Sequence, residues 1–246
     1  MSAETLRDFL LASIDRPQKP RLRISQAGSQ CEREVYYAAT GADSEPDTPE
    51  SKVKMALGSA LDAYALQQAP HDEVFVANVA RQVPVDITMG DVTVRGSADA
   101  AFYSDETEPP VLVSDLKVVG ESTWAKVQKA PKQEHQAQVQ LYAFGLGSPR
   151  WSVLYVRAAT GEMLEHSADT DEFAARRDFG LFETVAYYMA KGEPPPRPYA
   201  DIEEDDGTTK IAADSYPCRY CRFLTTCWPG TITRKEDSHV DAVQEA

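Results

Sequence analysis

The chain has 246 residues, 42% of them apolar, enough for one substantial core or for a core with a small appendage. No apolar run approaches the roughly 18–20 residues of a membrane span, and the opening MSAETLRDFLLASIDRP lacks the cationic segment and apolar stretch of a secretory signal, so a cytoplasmic, reducing location is expected. A net charge of −14 excludes broad nonspecific coating of nucleic acid, which needs Lys and Arg to neutralise phosphate, but it leaves room for a local basic channel.

Residues 3–14 carry a helical apolar pattern closed by Pro17. Ser25 is placed to cap a second helix running past Cys31 to about Thr40, where Gly41 stops it. GADSEPDTPESK reads as a loop, and a third helix spans about 50–69. Strand-like runs follow: VFVANVARQVPVDI, a Met89-Gly90-Asp91 turn, VTVRGSADAAFY and, after a polar loop at Asp105–Pro110, VLVSDLKVV. A helix at about 133–147, strands at 151–157 and 162–167, and a long helix at about 171–191 come next. GEPPPRP ends that helix and leads irregularly to a cysteine-rich segment, while DIEEDD and the tail read as solvated acidic surface. The order predicts a mixed α/β (α+β) fold, a central mixed sheet flanked by helices.

Of the four cysteines, Cys31 stands alone near the front; Cys218, Cys221 and Cys227 form a C-x-x-C-x-x-x-x-x-C run near the back. In a reducing compartment such a set points to metal or redox chemistry before disulfides. The spacing suggests four thiolates converging on one centre that joins the two ends of the chain. Ligand type alone does not separate tetrahedral zinc from an iron–sulfur cluster.

Four further patterns carry chemistry. In VLVSDLKVV, Asp115 and Lys117 share a strand face while Leu116 points into packing. On the preceding strand Asp99 lies among Gly96, Ser97, Ala98, Ala100 and Ala101, which leave room at its carboxylate. Two carboxylates on adjacent strands repel unless a cation sits between them, and hard oxygen ligands suit Mg²⁺ or Mn²⁺. Gly58 suggests close backbone approach, with Asp62 four residues on and on the same helix face; Gln138 and Tyr142 are likewise four apart. Taken singly, Asp115 and Lys117 read better as a surface ion pair, Asp99 as an exposed aspartate and Gln138 with Tyr142 as an amphipathic helix face, while a solvated helix aspartate suits Asp62 as well as a ligand does.

In that order, Gly58-x-x-x-Asp62, Gly96-x-x-Asp99, Asp115-x-Lys117 and Gln138-x-x-x-Tyr142 resemble the successive motifs of the PD-(D/E)XK nuclease superfamily, in its RecB-like branch. With the cysteine layout added, the chain resembles the Cas-four-type CRISPR-associated iron–sulfur exonucleases over about 25–230. The resemblance implies one nuclease domain over 1–246: a core at about 50–195, an iron–sulfur region from about 20–42 and 210–230, and an acidic flexible tail at 231–246. It implies that Asp62, Asp99, Asp115 and the Leu116 backbone carbonyl hold Mg²⁺ or Mn²⁺. Asp99, Asp115, Lys117, Gln138 and Tyr142 would be catalytic, and Cys31, Cys218, Cys221 and Cys227 would hold a [4Fe–4S] cluster. The activity implied is exonucleolytic hydrolysis of DNA, at single-stranded ends with 5′→3′ polarity. Recombination or CRISPR-adaptation proteins are the implied partners, a homo-oligomer is compatible with the resemblance, and no membrane is involved. Asp62 departs from the family, which carries histidine there; His71, His135, His166 and His239 lie outside that slot, and His135 is expected on a helix surface. Tyr36, Tyr37, Trp124 and Tyr142 are among the aromatics available for base stacking, though core packing explains most aromatics better. A non-cleaving DNA-binding or adaptor protein on the same fold is the alternative.

Overall fold

The computed structural model describes residues 14, 19–67, 78–105, 107–199, 202–203, 209–210 and 217–229. The expected helix over 3–14, apart from Ile14, lies outside them, as do the VFVA start of the first strand run, most of DIEEDD and the tail 231–246. The chain divides into two units, residues 1–41 with 48–196 and residues 42–47 with 197–246.

The first unit is built on a five-stranded sheet in the order β1 (Asn78–Met89), β2 (Val92–Tyr103), β3 (Leu112–Val119), β4 (Arg150–Arg157) and β5 (Met163–Asp169). All neighbours are antiparallel except β3 and β4. A parallel pair needs a crossover, and here it runs through α3 (Glu121–Val127) and α4 (Gln133–Leu146). β1 is an edge strand, the position where Pro84 is tolerated. Apolar residues alternate in β1, so Val85 and Ile87 are buried between exposed neighbours; Trp151, Val153 and Tyr155 of β4 are buried as well. This is the mixed, helix-flanked sheet expected from the element order.

Helix α4 packs on β1 to β4 and is buried continuously from Ala137 to Ala143, as a helix covered on several sides must be. A Cβ at Gly145 would lie 2.6 Å from Val85 Cγ1, so the absent side chain lets the helix approach β1. Two earlier helices are α1 (Glu32–Thr40) and α2 (Pro49–Gln67). The long helix α5 (Glu172–Lys191) is capped by Asp171, whose carboxylate accepts the Phe173 and Ala174 N–H groups. It packs against α4 and α1 and buries Phe179, Phe182 and Val185.

Three local expectations change. Ser25 does not start a long helix: Ile24–Gln26 form a 3₁₀ turn, and α1 begins at Glu32 with Cys31 as its N-cap. Burial of Ile24 and the φ of 72° at Gly28 turn the chain between the two segments. The segment read as loop ends sooner, because Pro49 opens α2, a position where its missing N–H costs nothing. Finally, α3 is too short to show a helical period in sequence; it forms because Trp124 and Val127 bury themselves.

In the second unit, β6 (Ile202–Glu203) pairs with β7 (Thr209–Lys210), and a 3₁₀ turn at Cys218–Tyr220 precedes the short α6 (Leu224–Cys227). Residues 42–47 are tied to the cysteine segment by hydrogen bonds. Glu45 N–H donates to Arg222 O at 2.7 Å, and Thr226 Oγ1 donates to Asp43 O at 2.6 Å.

Candidate active site

Strands β2 and β3 pair only from Phe102 opposite Leu112 to Ala100 opposite Ser114, and then they part. One step further along that register brings Asp99 opposite Asp115; the register of β1 brings Gln82 opposite Asp99. At the fork the Leu116 N–H donates to the Asp99 carboxylate, 2.9 Å from Oδ2, instead of to a β2 carbonyl. The chain thus uses an aspartate to finish a ladder that the diverging strands leave open.

Asp115 is 1% exposed. Gln138 Nε2 donates to its Oδ1 at 3.3 Å, and Lys117 Nζ lies 2.6 Å from its Oδ2. The Lys117 ammonium meets Oδ2 as an ion pair, and among the described residues no other group donates to that oxygen. Burial pushes the Asp115 carboxyl up to about 7; Lys117 pulls against this, and the Asp99 charge reinforces it. A buried carboxylate beside a second one, with its charge offset by a single ammonium, suits a hard divalent cation.

Gln138 spends its second amide hydrogen on Tyr142 Oη, 3.2 Å away, so the side chain bridges β3 and its own helix. Burial pushes the Tyr142 hydroxyl up to about 12. The space that Gly96 leaves is taken by this ring, since a Cβ on Gly96 would lie 2.6 Å from Tyr142 Cε1. Leu116 is half-buried, so the more deeply buried strand face is the one carrying Asp115, not Leu116.

His135 is a correction: it is half-buried and reaches Tyr155, with Nδ1 2.9 Å from Oη. Tyr155 is fully buried and its oxygen already accepts the Lys132 N–H at 3.1 Å. Tyr155 Oη and His135 Nδ1 share one hydrogen bond, whose donor is the hydroxyl or the ring according to the tautomer. Burial and then the charges of Lys117 and Lys132 push His135 down to about 4, so the ring is neutral at neutral pH. The signal for His135 was its place one helical turn before Gln138.

Other expected residues fare differently. Asp62 lies in α2, and its side chain is outside the described residues. A Cβ at Gly58 would meet nothing within 4 Å, so no close approach among the described residues requires that glycine. Tyr36, Tyr37, Trp124 and Tyr142 are all buried and offer no stacking platform. Gln82 was not singled out in the sequence; its Nε2 donates to Asp99 Oδ1 at 3.2 Å. The four cysteines form no disulfide among the described residues, and all are half-buried. Burial, then the nearby Cys227, pushes the Cys218 thiol up, and Cys221 Sγ accepts the Phe223 N–H at 3.4 Å. Among the described residues, no three or more His, Cys, Asp or Glu side chains gather to hold a metal ion.

No protein-family model matches the chain, and no curated protein matches it in sequence. Among solved structures it is similar to SSO0001, with a TM-score of 0.55 and 15% identity over 93% of this chain and 98% of that one. LHK-Exo from Laribacter hongkongensis, in complex with dAMP, superposes at a TM-score of 0.49 and 12% identity, covering 70% of this chain and 89% of its own. A putative exonuclease from Eubacterium rectale superposes at 0.48 and 13%, covering 94% and 99%. The likeness to SSO0001 is one of fold.

Proposed function

We propose that the protein is a divalent-metal-dependent DNA exonuclease that hydrolyses phosphodiester bonds at single-stranded ends with 5′→3′ polarity. The observation that carries this reading is the apposition of Asp99 and Asp115 at the fork between β2 and β3, with Lys117 against the buried oxygen of Asp115. Polarity and strand preference rest on the motif resemblance alone.

In this reading Asp99, Asp115 and the Leu116 carbonyl hold Mg²⁺ or Mn²⁺, with Asp62 as a further ligand. Such an ion supplies polarisation of the scissile phosphate and a more acidic water. Lys117 then has two tasks: it orients the attacking water, and its charge offsets the negative charge that builds on the phosphorane. Gln138 keeps Asp115 Oδ1 in place, and Tyr142 fixes the Gln138 amide in turn. At neutral pH an Asp115 that titrates near 7 is readily ionised by an arriving cation. The cysteine spacing, with Cys218 and Cys227 near enough to interact, supports a second part of the proposal, that Cys31, Cys218, Cys221 and Cys227 would hold a [4Fe–4S] cluster of structural purpose. No chemical step passes through it. Recombination or CRISPR-adaptation proteins would be the partners, in the cytoplasm.

The test is digestion of single- and double-stranded DNA labelled at either end, with Mg²⁺, with Mn²⁺ and with chelator. Release of nucleotides from 5′ single-stranded ends, dependent on the ion, is expected. DNA that is bound but left intact under both ions would replace the exonuclease by the non-cleaving adaptor.

A further inference from the structure

We propose that Gln82 is a positioning residue for the divalent-ion site, its side-chain amide locking the rotation of the Asp99 carboxylate. The inference rests on the reading of Asp99 as an ion ligand. Gln82 sits within β1, where Arg81 and Val83 on either side pair with Ala100 and Ala98. Its φ is nevertheless 47°, and no other described residue except glycine has a positive φ. An L side chain is strained in that region, and the register runs on unchanged on both sides, so no inserted residue demands the turn.

What the conformation achieves is a contact. Gln82 Nε2 lies 3.2 Å from Asp99 Oδ1, and Ser97 Oγ lies 3.3 Å from Gln82 Oε1. An ionised carboxylate only accepts, so the amide must present its NH₂ to Asp99, which leaves its oxygen for the Ser97 hydroxyl. Ser97 thereby fixes which way the amide faces. Leu116 N–H occupies the other oxygen, Oδ2, at 2.9 Å. Each oxygen of Asp99 thus carries one donor, from a different strand, and the plane of the carboxylate is set while lone pairs remain for an ion. Outer hydrogen bonds of this kind orient metal ligands, and strained backbone persists where such a task holds it.

Two variants test this, Gln82→Gly and Gln82→Asn. Both residues tolerate a positive φ, and neither has a side chain long enough to reach Asp99. Mn²⁺ binding to the full chain without DNA, followed by the electron-spin signal of the free ion, should weaken about tenfold in both. The Tm without added divalent ion should hold or rise in Gln82→Gly, because strain is released. Wild-type Mn²⁺ affinity in both variants would overturn the inference. So would a fall in Tm in both, which would make Gln82 a structural residue of β1. Asp99→Ala separates the underlying reading: if it binds Mn²⁺ as tightly as wild type, Asp99 is no ligand, and the inference about Gln82 falls for that reason.

Discussion

Replacing Asp115 by Asn should flatten the pH dependence of stability in the metal-free protein. The folded chain holds the Asp115 proton to about 7, whereas the reference value is 3.8. With the folded value raised, the stability this group contributes is fully present below about pH 4 and is lost as pH rises through 7. Between about pH 5 and 7 the native state keeps a proton that the unfolded chain has released. At about 1.4 kcal/mol per unit, the loss over that interval is about 3 kcal/mol. For a chain of this size that corresponds to about 5–10 °C in Tm. The Asn variant has no proton to release there, and the Lys117 attraction, which acts only on the ionised carboxylate, is already contained in the folded value of about 7. Differential scanning fluorimetry in chelator, from about pH 5 to 8, reads the difference directly. Parallel profiles for the two proteins would refute the argument that Asp115 is held in a site hostile to its charge. In wild type alone, added Mn²⁺ should recover Tm at the alkaline end, since an ion that binds only the folded form stabilises it.

Lys117→Ala should abolish cleavage and leave the chain folded; end-labelled DNA still degraded at the wild-type rate would remove Lys117 from the chemistry. Gly96→Ala brings a methyl within 2.6 Å of Tyr142 Cε1 and 3.0 Å of Ile24 Cβ, and it should cost about 1–3 kcal/mol in urea denaturation. An unchanged midpoint would show that the Tyr142 ring yields freely. Cys221→Ala should bleach the visible absorbance and lower Tm, while Asp115→Ala keeps its colour; a colourless wild-type protein with stoichiometric zinc would overturn the cluster.

Much of the sheet was legible because its strands carry period-two patterns with a clear turn between them, as at Met89–Val92. The pairing of Asp115 with Lys117 and of Gln138 with Tyr142 was legible for a similar reason. Spacings of two on a strand and four on a helix translate directly into a shared face. The fork was not legible, because nothing local marks where β2 and β3 stop pairing, and Gln82 derives its role from a partner 17 positions away. His135 was misjudged in the same way. Its surroundings come from Tyr155 across the crossover, and a helical pattern says nothing about what covers a helix. The aromatics near Cys31 follow the core-packing reading, since Tyr36 and Tyr37 are buried in α1, which packs against α5.

The edge strand β1 has a bearing on self-assembly. An exposed sheet edge invites a second chain to add a strand, and native proteins blunt it with proline, charge and local twist. β1 has all three within six residues: exposed Arg81 and Asp86, Pro84 without an N–H to offer, and Gln82 turned out of extended geometry. A copy of the chain would find an interrupted row of donors and acceptors there. Continuation of the sheet from one protomer into another is therefore disfavoured along β1, and any ring or dimer must close through other surfaces. If Gln82 also steadies Asp99, one departure from regular strand geometry serves both the chemistry of the site and the solubility of its scaffold.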